Sequence, residues 1–446
     1  MYVVIGGAGD AGQHLGMLLR AEGHEVAFVE SNETVAAMAS DIDALVINGD
    51  VCDPKALKEA EIEKSDYYLG VTKTDSANLS SCSLANYHGC GTIARINDPF
   101  LANEAVSRKY AHIGVDVILC PPLITASQIS RVFSFPSSLR ELRRRNMRTY
   151  HLVVEFRSSC CRKQISRLDL PKGSRIISVF RGVEQIIPMD PIVLQEEDEL
   201  CILLDSSAKV KDVEGALGTG INPYKEVKDV FIAGATNMGL TLAQKLLDSD
   251  ISVVIMEISK KKTEDVARTL PRASVIQSDP LGHGVLKKEE IRRFDVMLAT
   301  GFGMERNILI SVLAKQFGVP TALALVDRID LKASVEKTLV DDVVVPNLLL
   351  VKTILNLLRG GGPLRRKILR REDILVREKK VTRKMRCVGR TIDEFSSAIG
   401  SILVAGVVEE GDALIPDEDH VISEGERLFL LYYPSDRMAV DRWFSG

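Results

Sequence analysis

A chain of 446 residues is long for one hydrophobic core and implies about three or four domains. Hydrophobic residues at 46%, charged residues at 26% and a net charge of −4 describe an ordinary globular protein without the basic footprint of a nucleic-acid binder. No apolar run reaches the roughly 18 residues of a membrane span, and no signal-peptide core precedes the first strand, so a cytosolic protein is expected.

The first apolar run, 2–5, is predicted as a strand and is followed at once by Gly7, Ala8, Gly9, Asp10, Ala11 and Gly12. Glycines at this spacing suit one chemistry: the first permits a tight turn, the second lets backbone approach a pyrophosphate, and the third lets the next helix pack on the strand. The N-terminus of that helix offers unpaired N–H groups and a partial positive charge to phosphates. A second strand, 25–29, ends at Glu30. A carboxylate there accepts hydrogen bonds from an adenosine ribose and repels a 2′-phosphate, which favours NAD or an adenine nucleotide over NADP. Further strands are predicted at 44–48, 66–71, 92–96 and 115–120, separated by helical stretches, the pattern of a doubly wound parallel sheet. Asp50, Thr72 and Arg95 stand at strand ends, where such sheets bind ligands.

Beyond Pro122 lie an amphipathic segment to about Phe133, a basic run at 140–148, and a β-rich stretch with strands predicted at 175–181, 184–188 and 199–204. The second half repeats this order. The run 230–233 precedes Gly234, Ala235, Thr236, Asn237, Met238 and Gly239, and 251–256 ends at Glu257. Glu30 follows Gly7, and Glu257 follows Gly234, by the same 23 positions. Strands follow at 274–277, 296–299, 321–326 and 343–345, then a helical stretch from Asn347, the triplet Gly360, Gly361 and Gly362, and a second basic run at 365–371. Short strands are predicted at 402–408, 413–416 and 427–433, and Pro188 and Pro416, Val193 and Val421, and Leu200 and Leu428 are each 228 apart. The basic runs read as solvated helix faces with partners such as Glu141 and Glu372, the alternative being a dock for an acidic partner or lipid headgroups.

The fold class is therefore α/β: two doubly wound Rossmann-like parallel-sheet domains, each followed by a small α+β lobe. The expected boundaries are 1–122, 123–142 for a crossover helix and linker, 143–225, 226–346, 347–372 for the second crossover helix and linker, and 373–446. The helices from Leu123 and Asn347 are the expected hinges.

Eight cysteines without CxxC spacing read as reduced packing residues, and seven histidines show no metal-ligand spacing. There is no GxSxG elbow, and His151 and His420, one in each β-rich stretch, are not at equivalent positions. A dehydrogenase needs an acid–base group beside the nicotinamide. None is recognisable, so a non-enzymatic role is expected, with a tandem-Rossmann oxidoreductase as the alternative.

Taken in order, the two glycine turns, Glu30, Gly49-Asp50, Val71-Thr72 with Asp75 and Asn78, Ala94-Arg95, and the turns Ile186-Ile187-Pro188 and Leu414-Ile415-Pro416 resemble the TrkA family over nearly the whole chain. That family comprises the cytosolic nucleotide-binding subunits of Trk-type potassium uptake systems, built from tandem RCK (KTN) domains with a Rossmann-like N-lobe and a smaller C-lobe. The resemblance implies binding of NAD(H) or ATP/ADP, assembly into a homotetrameric ring, and docking on the inner face of the membrane against a potassium transporter subunit. It adds Val71 to the expected nucleotide contacts. A regulator of another cation channel or antiporter is a further alternative.

The second half departs from the pattern. Thr236 stands where the phosphate-approach glycine belongs, and its β-branch holds backbone away from a phosphate. Counting from the repeat places Ala324 opposite Arg95, and Thr300 and Asn307 opposite Thr72 and Asn78. The second turn is left with weaker binding, a different adenine nucleotide, or a purely architectural role.

Overall fold

Runs of β-branched and aliphatic residues bounded by glycine or acidic turns become strands buried on both faces, as parallel sheets require. In the computed structural model, the first Rossmann lobe carries β1 (Tyr2–Gly6), β2 (Glu25–Glu30), β3 (Leu45–Asn48), β4 (Tyr67–Gly70), β5 (Gly91–Arg95) and β6 (Val117–Leu119). All pairings are parallel, in the order β3-β2-β1-β4-β5-β6, so the order reverses beside β1 and opens a crevice at the strand carboxyl ends. The structure describes residues 1–133, 142, 145–181, 184–189, 192–223, 227–331, 335, 340, 342–359, 374–400, 402–409 and 411–444.

The first small lobe contains β7 (Arg148–Val153), β8 (Ser174–Arg181), β9 (Glu184–Ile186), β10 (Glu199–Leu204) and β11 (Asn222–Pro223), in the order β11-β7-β10-β8-β9. The second Rossmann lobe repeats the first with β12 (Asp229–Ala233), β13 (Ser252–Glu257), β14 (Ser274–Gln277), β15 (Val296–Ala299), β16 (Thr321–Leu325) and β17 (Asp342–Val344). The second small lobe has β18 (Leu375–Lys380), β19 (Ile402–Glu409), β20 (Asp412–Leu414) and β21 (Arg427–Tyr432), ordered β18-β21-β19-β20.

The lobes alternate along the chain, but like packs with like. The chain divides into one unit of residues 1–131 with 227–368, holding both Rossmann lobes, and another of 132–226 with 369–446, holding both small lobes. Between the Rossmann lobes, Arg359 of the helix Pro346–Arg359 holds Glu22 just past the helix Asp10–Ala21.

In the small-lobe unit the 228-residue repeat is visible in detail. The β8–β10 ladder skips Ile177 and the β19–β21 ladder skips Ala405, so each copy has the same one-residue bulge. Val193 and Val421 each make an isolated bridge, while Leu200 and Leu428 face Val179 and Val407. A shared core joins the lobes through matched pairs: Ile177 with Ala405, Ile187 with Ile415, Cys201 with Phe429, and Leu203 with Leu431. Across it the lobes trade contacts reciprocally. The Ile187 N–H donates to Tyr433 Oη at 3.2 Å, and the Ile415 N–H donates to Asp205 Oδ2 at 3.2 Å.

All eight cysteines are free thiols. Among the described residues there is no metal-binding cluster and no helix long and apolar enough to cross a membrane. The basic run at 365–371, Gly360–Gly362, Glu141 and Glu372 lie outside the described residues, as do 140, 143 and 144 of the first basic run.

Candidate functional site

The first glycine turn is shaped by contacts that only glycine permits. Gly7 adopts φ +102°, and a Cβ there would sit about 3.0 Å from the Thr72 backbone nitrogen. A Cβ on Gly12 would lie 2.0 Å from the Gly7 carbonyl oxygen, so the helix Asp10–Ala21 starts directly against the turn. Gly9 is different. Its backbone is extended, and a Cβ would meet nothing within 4 Å. It faces open space, and no side chain caps the helix that begins after it. The N–H groups of that first turn remain available to an anion.

Glu30 holds the turn in shape. Its Oε2 accepts from the Ala8 N–H and its Oε1 from the Asn32 N–H, both at 2.9 Å. A carboxylate has about four acceptor positions, so capacity remains for ribose hydroxyls. Asn78, fully buried, ties two further strand ends together. Its Oδ1 accepts from the Thr72 N–H at 2.9 Å and its Nδ2 donates to the Arg95 carbonyl at 2.8 Å.

These residues border a cavity of about 830 Å³, within the range of roughly 300–1,000 Å³ typical of small-molecule sites. Gly7, Gly9, Asp10, Ala11, Glu30, Asp50, Val71, Thr72 and Arg95 all line it. Ala8 and Gly12, also expected contacts, are buried behind the turn. Of the contacts expected in the second copy, only Met238 reaches this cavity; Gly234, Ala235, Thr236, Asn237, Gly239 and Glu257 are not among its lining residues. Ser31, Asn32 and Lys73 line the cavity unannounced by the sequence, as do Leu325, Asp327, Arg328 and Asn347 of the second lobe. His151 and His420 are not among its lining residues; they stand beside Glu199 and Glu426 in the small lobes.

Arg95 and Lys73 are the first-lobe cations that line the cavity; Arg95 ends β5. Burial pushes its guanidinium pKa down, against the pull of Asp75 and Asp10. Its Nη2 reaches Asn97 Oδ1 at 3.3 Å, while its Nε is buried without a partner. A buried guanidinium N–H is costly to leave without an acceptor, and an anion or a water in the cavity would supply one.

The second turn has the same frame with its donors engaged from within. Gly234 has φ +109°, and Glu257 accepts from the Ala235 and Ser259 N–H groups, both at 2.9 Å. Thr236, however, caps the helix Asn237–Asp248 by accepting from the Gly239 N–H at 3.2 Å. Its hydroxyl also donates to the Thr300 carbonyl at 3.2 Å. One of the donors that stay uncapped in the first copy is thus engaged internally in the second.

The register corrects two sequence correspondences. Gly70 pairs with Ala94 in the first sheet and Ala299 with Ala324 in the second, so Leu325, not Ala324, stands where Arg95 stands. Asn307 Nδ2 confirms it by donating to the Leu325 carbonyl, as Asn78 does to Arg95. The Val71 and Thr300 N–H groups donate to the equivalent Gly6 and Ala233 carbonyls, so Thr300 matches Val71 and Gly301 fills the place of Thr72.

Comparison with known proteins agrees with this architecture. Residues 3–121 and 230–346 match the model of the TrkA-N domain. The chain is 27% identical to Trk system potassium uptake protein TrkA homolog 1 of Methanosarcina mazei, covering 100% of both chains. It is 29% identical to the TrkA homolog of Archaeoglobus fulgidus, over 96% of this chain and 97% of that protein. Against Trk system potassium uptake protein TrkA of Haemophilus influenzae it is 25% identical, over 99% and 97%. Among solved structures, the GsuK RCK domain superposes with a TM-score of 0.56 at 16% identity, covering 99% of this chain and 94% of that one. The structure described as "GsuK channel bound to NAD" gives 0.55 at 18% identity, covering 99% and 78%. These last two establish likeness of fold.

Proposed function

The chain belongs to the TrkA family, and from that premise we propose that it is the nucleotide-sensing regulatory subunit of a Trk-type potassium uptake transporter. The observation that carries the reading is the uncapped first glycine turn, which faces a cavity bordered by both Rossmann lobes. A ligand seated there touches two bodies at once. Its binding energy then depends on how the lobes are arranged, which is what a population-shift regulator requires. Couplings of this kind are typically about 1–3 kcal/mol per site.

The ligands proposed are NAD(H) and ATP or ADP, with the adenosine ribose at Glu30 and the phosphates on the turn around Gly9. A structure of similar fold has been solved with NAD, and that supports a dinucleotide as one ligand class. The role proposed is regulatory, without catalysis. We place the protein on the cytoplasmic face of the membrane through its transporter partner, as a homotetramer.

Calorimetry with NADH, ATP, ADP and NADP tests the ligand, and potassium flux in vesicles holding the partner tests the regulation. Flux should change when nucleotide is added; a flux indifferent to both protein and nucleotide overturns the reading. Sustained turnover of NADH with a panel of carbonyl compounds would instead establish an oxidoreductase.

A further inference from the structure

Each glycine turn makes contact with the opposite Rossmann lobe. Asp10 and Asn237 hold equivalent positions, each the first residue of the helix after its turn. Each reaches the loop beyond the fifth strand of the opposite lobe. Asp10 Oδ1 accepts from the Ile329 N–H at 3.4 Å, and Asn237 Nδ2 donates to the Asn97 carbonyl at 3.3 Å. Asp10 Oδ2 also accepts from Asn347 Nδ2 at 3.2 Å. Reciprocal contacts of this type are those of an isologous interface, here made within one chain.

One consequence is chemical. The loop that the second lobe lends to the first cavity carries Arg328, and counting from Arg95 and Leu325 its equivalent in the first lobe is Asp98. The first site is therefore bordered by a cation from the opposite lobe, where the matching position holds a carboxylate. Arg328 is more than half exposed and is currently held by Asp330, with Nε to Oδ1 at 3.1 Å. Asp330 is a surface carboxylate, and exposed pairs of this kind are weak and exchangeable.

The sheet order gives the direction in which a ligand extends. Glu30 ends β2, the glycine turn follows β1, and Arg95 ends β5 on the far side of the turn. An adenosine at Glu30 with its first phosphates at Gly9 points its remaining phosphates away from Glu30. The cations lining the cavity are Lys73 and Arg95, which follow β4 and end β5 on that side, the latter with an unpartnered buried Nε, and Arg328, brought by the opposite lobe.

We propose that Arg328 completes the anion-binding end of the first nucleotide site, taking the terminal phosphates of a nucleoside di- or triphosphate from across the lobe contact. This rests on the nucleotide reading above and adds that the phosphate end of the site belongs to the other lobe. A guanidinium binds phosphate in a bidentate fork, so Arg328 exchanges Asp330 for phosphate without changing its charge state. A nucleoside monophosphate, ending at the glycine turn, does not reach it.

Calorimetry on the full chain with ATP and with AMP tests this. Arg328→Ala should weaken ATP by about tenfold, the loss of a charge-assisted contact, and leave AMP within about twofold. Asp330→Asn should do the reverse and tighten ATP severalfold, because it releases the guanidinium from a competing carboxylate. ATP affinity unchanged in Arg328→Ala overturns the proposal, as does equal weakening of ATP by both variants, which would mark the pair as a structural brace. If the unaltered protein binds none of NADH, ATP and AMP, the nucleotide reading falls and takes this one with it; if it binds NADH but not ATP, this one falls alone. If it binds ATP with no regard to Arg328, this one falls alone.

Discussion

The two glycine turns share a frame and differ in what fills it. In both, a positive-φ glycine starts the turn and a glutamate at the end of the next strand grips the alanine N–H at 2.9 Å. In the first the helix N-terminus is left open above Gly9; in the second the hydroxyl of Thr236 takes the Gly239 N–H. The lesson is that the frame and the binding function are separable. A glutamate at this position earns its place by shaping the turn whether or not a ribose arrives. On the proposed reading, the availability of the helix N-terminus then decides whether phosphates are held.

The largest effect should come from Gly9→Val. The backbone there is extended and a Cβ has open space around it, so the variant should fold as the unaltered protein does. Blocking the approach of phosphates to two backbone donors at roughly 1.5–3 kcal/mol each should weaken NADH or ATP about 100-fold or more. Equal affinities by calorimetry would remove the first turn from the mechanism. A saturating titration of the unaltered protein should find one tight nucleotide per chain and at most one weak one; two equally tight sites would erase the distinction between the turns.

Next in size is the frame itself. Replacing Glu257 with glutamine sets an amide NH₂ against a backbone N–H that the carboxylate now accepts, at a cost of about 1–3 kcal/mol. Glu257 is 6% exposed, and Glu30 is only partly buried, so Glu30→Gln should loosen its turn less. Hydrogen exchange at Ala235 and Ala8 reads both, and faster exchange at Ala8 than at Ala235 would contradict this. Binding separates the second role of Glu30. NADP should bind more weakly than NAD by at least about 1–3 kcal/mol, and parity would show that the carboxylate serves the turn alone.

Smaller still is the gain from reopening the second turn. Thr236→Gly removes the cap at a cost of a few tenths of a kcal/mol and should tighten the weaker site by roughly tenfold. A cation is restored there by Leu325→Arg and not by Ala324→Arg, since Ala324 is fully buried within the sheet. If Thr236→Gly leaves the second site unchanged, the hydroxyl is not what closes it.

Much of this was legible in the residues. The glycine turns, Glu30 and Glu257, and the apolar strands of both Rossmann lobes follow from spacing and periodicity, and the matched bulges at Ile177 and Ala405 keep the 228-residue repeat. The error at Ala324 has a local cause. Three residues separate the helix Asp75–Tyr87 from β5, but four separate Met304–Gln316 from β16, which shifts the count by one. β7 and β18 escaped because they mix charge with aliphatics; among the described strands Leu375–Lys380 pairs with β21 alone and so needs no apolar alternation on its outer edge. Arg328 and Asn347 had no sequence signal as cavity residues, because only the packing of one repeat on the other brings them there.

The reciprocal caps in the small-lobe unit have a consequence for how this protein varies. Asp205 and Tyr433 occupy matching places and serve matching amides, one with a carboxylate and the other with a phenol. In a dimer of identical chains every substitution at such a place appears on both sides of the axis, so two acids or two phenols would be forced on it together. Fusing the halves into one polypeptide removes that constraint. Each side then accumulates changes alone, and a symmetric scaffold can carry one open and one closed turn at fixed one-to-one proportion.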